Sequence, residues 1–413
     1  MKEPFGALGA TLEAWEARAT GLLPPLVRRN MRVEIVAAML FGPFVAGLGF
    51  LPVVLRRLGA SPEWIAFYLA QNFIGFLLTS VSVLVMPRRQ GLLRFGITFW
   101  VISRGLFVLI AFINGAQALG WLTLFFWIAE SFPVPVYTRL MQIVYPARSR
   151  GRVLALIRVG MSTTSLLVTP LAGWLLDTAG YQVLFPVVGG LAVLSALVFS
   201  RLRFADADVP ESAPANPSEF GRILREDRRF GLYLAGLILF GVGLLSGSAL
   251  YPLVQVDQLG LSYSEIGWLG LVQSVFFLAG YPLWGRLIDR RGGVWVTRLV
   301  FLIAAVIPAS YMAATSGWML APAFAALGVV NAGLDIGTLN TVMQLTTPER
   351  LGQYSALQTT VLGLRGLAAP FIGVWLAQTL ALPFAVVFGL GLVLMLAGAA
   401  LLLWVRAEVR SEA

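Results

Sequence analysis

Four ionisable side chains stand deep inside long apolar runs: Arg104, Glu130, Asp335 and Arg365. Charge in hydrocarbon is costly, so such groups are paired or handle an ion or solute. Arg104 and Glu130 each lie 13 residues from a turn near 117, which puts them at one depth and able to pair. Asp335 and Arg365 flank a turn near 349 at 14 and 16 residues and are expected to pair in the same way. The chemistry of such a pair is exchange. A proton on the acid releases the arginine, and a solute takes the arginine or leaves it. Bond-making chemistry has little to draw on. The chain has no cysteine and no histidine, so disulfides, thiolate or imidazole metal ligands and Cys/His nucleophile–base pairs are excluded. No phosphate-binding GxxxxGKS loop is present, which argues against ATP-driven pumping by this chain. No enzymatic activity, metal or cofactor is expected.

The elements that hold these residues must be membrane helices. Of 413 residues 58% are hydrophobic and 12% charged, half the charge of a soluble protein. About 20 apolar residues cross a bilayer core as a helix. Runs of that kind occur near 33–55, 64–86, 92–114, 118–140, 153–176 and 181–200. They resume near 230–254, 265–288, 294–314, 318–344, 354–378 and 382–405, giving twelve spans.

Arginines fix the orientation. They cluster before span 1 (Arg28, Arg29, Arg32), between spans 2 and 3 (Arg88, Arg89, Arg94) and between 4 and 5 (Arg148, Arg150, Arg152). They recur in the central break (Arg222, Arg225, Arg228, Arg229), between 8 and 9 (Arg290, Arg291), at Arg350 and after span 12 (Arg406, Arg410). Apart from Arg56 and Arg57, the alternate connections carry almost none. Cytoplasmic loops accumulate basic residues, so both termini are expected in the cytoplasm, in a bacterial inner membrane. The net charge of +10 is thereby assigned to topology and anionic lipid rather than to nucleic acid. The expected organisation is a cytoplasmic N-terminal segment over 1–32, a six-helix bundle over 33–201, a cytoplasmic linker over 202–228, a second six-helix bundle over 229–406 and a tail over 407–413. Within the first segment, Leu8, Leu12, Trp15 and Leu22 recur at helical spacing, which predicts an amphipathic helix on the membrane face.

The two bundles repeat one another. "MQIVYP" at 141–146 recurs as "MQLTTP" at 343–348, and "LGAS" at 58–61 as "LGLS" at 259–262. Pro52 matches Pro252, Gln71 matches Gln273, and "PLAG" at 170–173 falls on "PFIG" at 370–373. The register stays near 200–202 across six spans. An even number of spans per repeat makes the repeats parallel, related by an axis along the membrane normal, with a solute site between them near the midplane.

With these features the chain resembles the major facilitator superfamily. The resemblance rests on the spans, the linker, the repeat and the stretch "GRLIDRRGG" at 285–293, where Gly285, Asp289, Arg290 and Gly292 match the family's loop signature. The following basic pair is absent, and in the first half Pro87 replaces the Asp. The resemblance implies an all-α fold of twelve transmembrane helices in two parallel-repeat six-helix bundles, working by alternating access. It implies that Asp289 contacts a neighbouring helix N-terminus in the outward-facing state and releases it on switching. Spans 1, 4, 7 and 10 of the family line the central cavity, which points to Glu130, Asp335 and Asn331. Spans 2, 5, 8 and 11 then bring Gln71, Gln273, Arg158 and Arg365, with Arg104 as the partner of Glu130. Arg139 and Arg158 lie nearer the cytoplasmic ends, where long side chains snorkel to headgroups.

The leading functional reading is a secondary transporter of a small solute, proton-coupled and exporting an amphipathic compound. The abundance of aromatics such as Phe41, Phe44, Phe132, Tyr137 and Tyr251 suits such a ligand. Import of a small anion or polar metabolite, with Arg104, Arg158 or Arg365 as counter-charge, is the alternative. A non-transporting membrane receptor on the same fold is the reading from another class.

Overall fold

A computed structural model describes residues 23–87, 91–204, 218–347 and 349–405. The predicted amphipathic segment at 8–23 falls almost wholly outside these residues, as do Arg88, Arg89, linker residues 205–217 and the tail. Eleven described helices are long and apolar enough to cross a membrane. They are α1 (Pro25–Arg57), α3 (Leu92–Phe112), α4 (Ala116–Val144), α5 (Ala147–Thr178), α6 (Tyr181–Phe199), α7 (Arg228–Gln258), α8 (Tyr263–Arg291), α9 (Gly293–Ala313), α10 (Gly317–Leu345), α11 (Leu351–Gln378) and α12 (Phe384–Leu401). With α2 (Pro62–Val85), whose only charged residue is Glu63, the twelve expected spans are all helical.

Several helices extend beyond their apolar runs. The run of span 5 begins near 153, but α5 starts at Ala147 and takes in Arg148, Arg150 and Arg152. At 1.5 Å per residue α5 is about 48 Å long, well over a ~30 Å hydrocarbon core. Its basic first turns therefore stand outside the bilayer core.

The repeated motifs have local causes. In "LGAS" and "LGLS" the glycine turns the chain in a left-handed conformation, at φ +80° for Gly59 and +61° for Gly260. The serine then caps the next helix: Ser61 accepts from the Trp64 N–H, and Ser262 forms a reciprocal capping box with Glu265. Pro52 and Pro252 each stand at the start of a new helical segment after a break, so α1 and α7 are interrupted at the same point of the repeat.

Within the first half α1 packs on α5 and α6, α2 on α4, and α3 on α4 and α6. The second half repeats the plan, with α7 on α11 and α12, α8 on α10, and α9 on α10 and α12. The halves meet along two seams, α5 with α8 and α2 with α11. Small residues let these backbones approach. A Cβ on Gly173 of α5 would strike the Tyr263 carbonyl, and one on Gly267 of α8 would lie 3.1 Å from the Thr169 carbonyl. The repeated Pro170–Gly173 element thus lies in a seam between the halves.

Candidate functional site

A polar cluster bridges the halves within the span. Arg158 of α5 donates through Nη1 to Asp335 of α10, and Tyr281 of α8 donates its hydroxyl to the same carboxylate oxygen. Arg158 Nη1 also lies 3.3 Å from the Tyr281 hydroxyl. One cation from the first half is therefore held by an acid and a phenol from the second. The side chains of Arg158 and Asp335 are 53% and 37% exposed, so this pair borders open space. Arg158 sits about 16 Å along α5 from its Ala147 end, past the headgroups to which snorkelling would have sent it. The expected pairing of Asp335 with Arg365 is corrected by this geometry. α10 packs chiefly on α8 and α9, and its contact with α11 is slight, so the acid turns across the cleft instead.

Arg365 meets no carboxylate among the described residues. Its Nη1 donates to the Leu237 carbonyl of α7 and its Nε has no hydrogen-bond partner. The guanidinium occupies the space that a side chain on Gly241 would need.

Arg104 and Glu130 do pair, as their matched depth predicts. Arg104 Nη2 lies 3.1 Å from Glu130 Oε1, and Ser103 donates to Oε2 at 2.5 Å. The pair is internal to the first half. Arg104 is 6% exposed, donates to the Ala192 carbonyl of α6 and lies 4.2 Å from the Phe41 ring centroid, which covers it. Gln71 is fully buried and donates to the Gly120 carbonyl of α4 at 2.9 Å, so it braces α2 against α4. That corrects its expected place at the cavity. Asn331 is exposed on α10, one turn before Asp335, and Gln273 is partly buried on α8.

The loop residues form a tight connection. Gly292 turns at φ +81°, and a Cβ on it would strike the amide of Gln344, whose oxygen accepts from the Val294 N–H at 3.2 Å. Asp289 and Arg290 are exposed, Gly285 is partly buried, and Asp289 caps no helix among the described residues.

At the end of the molecule remote from the termini the halves are latched. Arg56 holds Asp257 through Nε at 2.8 and 3.1 Å and through Nη2 at 2.6 Å. These residues lie 201 apart, so they are the same position of the repeat meeting at its axis. Arg57 donates to the Leu261 carbonyl and stacks 3.7 Å from the Tyr263 ring centroid. Asp177 of α5 accepts from the backbone N–H groups of Tyr263 and Ser264 at 3.0 and 2.8 Å and from the Ser264 hydroxyl at 2.6 Å. A residue of the first half thereby satisfies the free N–H groups of a helix in the second. The two arginines that broke the loop pattern, Arg56 and Arg57, are explained by this latch.

Sequence reasoning missed Tyr281, the latch acids Asp177 and Asp257, and Glu34. Glu34 stands one residue inside the first apolar run, which begins near 33. In the structure it is 2% exposed and accepts hydrogen bonds from Tyr137 at 2.7 Å and Tyr145 at 2.6 Å.

Known proteins match this arrangement. The sequence model of the Major Facilitator Superfamily matches residues 35–263 and 244–413. Two relatives from Agrobacterium vitis, each named putative tartrate transporter, are similar in sequence. One is 25% identical over 354 residues, 76% of this chain and 76% of the relative. The other is 26% identical over 355 residues, 75% of this chain and 78% of the relative. A crystal structure of a mutant nucleoside transporter, NupG, shares the fold with a TM-score of 0.69, over 91% of this chain and 99% of its own, at 12% identity.

Proposed function

This chain belongs to the major facilitator superfamily and is a multi-pass membrane transporter of a small molecule, and from that premise we propose that its solute is a small carboxylate-bearing anion bound between the halves at Arg158. The observation that carries the reading is the hold of Asp335 and Tyr281 on Arg158 across the cleft. A solute carboxylate is the natural substitute for Asp335 on that guanidinium. Arg365, with no acid beside it, supplies a second positive charge on the opposite half. The matched relatives are named for tartrate, a dicarboxylate, and a carboxylate is what the Arg158 guanidinium already holds in Asp335.

Export of an amphipathic compound has less support. The aromatic residues that suggested it pack inside the halves: Phe44 against Phe107 and Phe126, Tyr251 against Tyr311, and Phe132 against Phe99.

The cycle follows from the charges. With the arginine-rich loops in the cytoplasm, the latched end is extracellular and this conformation opens inward. A proton on Asp335 frees Arg158 for the solute, and loss of that proton lets Asp335 reclaim it. Taking a dianion into a negative interior costs about 4.6 kcal/mol per 100 mV. Uptake therefore calls for cations to travel with the solute, and protons on cleft carboxylates serve. Asp289 and its loop act in the switch itself.

Unfolding of the purified protein, followed by tryptophan fluorescence against mono-, di- and tricarboxylates and against neutral and cationic amphiphiles, tests the proposal. Dicarboxylates should raise the midpoint, by about 2.7 kcal/mol at a hundredfold excess over Kd, and Arg158→Ala should abolish the rise. Stabilisation by amphiphiles alone would refute it.

A further inference from the structure

We infer that Glu34 is a proton-carrying carboxyl of the transport cycle, linked to the Arg158 site. The inference deepens the anion-transport reading and rests on it for its flux arm only.

Glu34 lies in α1 between Val33 and Ile35 and is 2% exposed. Its two oxygens are each bound by a phenol, Tyr137 of α4 and Tyr145 at its C-terminal end. No described cation forms an ion pair with it. Among the described residues, the cations on the elements around it are committed elsewhere or exposed. α6, which packs on α1, carries no Asp, Glu, Lys or Arg. On α5, Arg148 and Arg152 are exposed, Arg150 is committed to the backbone carbonyls of Tyr145 and Gln142, and Arg158 is committed to Asp335. On α3, Arg104 is committed to Glu130. On α1 itself, Arg28 and Arg29 donate to the Leu23 and Arg201 carbonyls. Arg32 and Arg139 have partners of their own. An anion removed from water without a cation is paid for only in part by two neutral donors. A bound proton removes the remaining cost.

The position gives that proton a use. Tyr137 donates to Glu34, and the turn of α5 that carries Arg158 packs on the turn of α1 that carries Glu34, with Gly160 against Ile35. When a dianion replaces the Asp335 carboxylate on Arg158, one more negative charge stands in the cleft, the potential at Glu34 falls and the proton is retained. When the solute leaves and Asp335 reclaims Arg158, the potential rises and the proton leaves. Loading the solute and loading the proton thus favour one another, as symport requires. A dianion needs more than one accompanying proton to cross without net charge. Asp335 offers one site and Glu34 the second.

Two measurements on the full chain test this. The first needs no solute: infrared difference spectra of the protein in vesicles across a pH titration. The wild type should show the band of a protonated, hydrogen-bonded carboxylic acid that Glu34→Gln removes. Tyr137→Phe, a milder change, should move the midpoint of that band by about one pH unit, the worth of one hydrogen bond to a charged group. The second is flux of labelled tartrate in proteoliposomes. Glu34→Gln should keep tartrate exchange between the two sides within about threefold and lose the accumulation driven by a pH gradient. A spectrum that Glu34→Gln leaves unchanged, or a variant that still accumulates tartrate on a pH gradient, overturns the inference. A wild type that moves no tartrate would refute the solute assignment and leave the infrared result to decide the proton site.

Discussion

Replacing Asp177 by alanine should open the latched end. Asp177 caps α8 from the other half with three hydrogen bonds of 2.6–3.0 Å and lies 3.7 Å from Arg57. Loss of a helix cap costs about 0.5–2 kcal/mol. The ion pair, with both side chains more than a quarter exposed, adds at most about 1 kcal/mol. These contacts exist only while the two halves meet at this end, so their loss bears wholly on the closed state. A total of about 2 kcal/mol shifts the balance between closed and open far ends by about 30-fold. Asp177→Asn keeps an acceptor oxygen and should shift it less. The chain has no cysteine, so Glu63→Cys with Gln258→Cys, both exposed near that end, gives a pair of spin labels without background. In the parent protein the distance distribution should show one short population. With Asp177→Ala a longer one should appear and predominate. If the distribution is unchanged under the same conditions, the cap contributes little and the latch argument fails.

Other substitutions separate packing from transport. Glu130→Gln leaves Arg104 buried without its counter-charge and should cost about 3–5 kcal/mol of stability, read as a fall in the unfolding midpoint, with solute affinity in the folded protein nearly unchanged. Gly173→Val drives a side chain into the Tyr263 carbonyl. It should weaken the α5–α8 seam by about 1–3 kcal/mol and lower transport without changing the panel of solutes that bind. Asp335→Asn removes the competitor for Arg158, so anion binding should persist or tighten and depend less steeply on pH, while accumulation against a gradient is lost. Equilibrium binding at two pH values checks this.

Much of the fold could be read from residue order because hydrocarbon imposes a length and a composition on every span. The repeat was legible for a related reason: "LGAS" and "LGLS" must end one helix and cap the next at the same place in each half. The site was legible only in part. Depth along a helix can be counted, and that found Arg104 and Glu130. The direction a residue faces around the helix cannot be counted in the same way, and Asp335 turned toward α5 rather than α11. Arg158 looked peripheral because the apolar run begins at 153, although α5 begins at Ala147. Glu34 escapes notice for the same reason: the apolar run begins near 33, although α1 begins at Pro25 and buries it.

The most direct test of the central claim is counterflow of labelled tartrate into proteoliposomes preloaded with unlabelled tartrate, with wild type and Arg158→Ala compared side by side. The account predicts transient accumulation by the wild type, competed by other dicarboxylates and not by neutral solutes, and its loss in the variant while the protein still folds. Wild-type counterflow that persists in Arg158→Ala would contradict it, as would the absence of counterflow with any carboxylate.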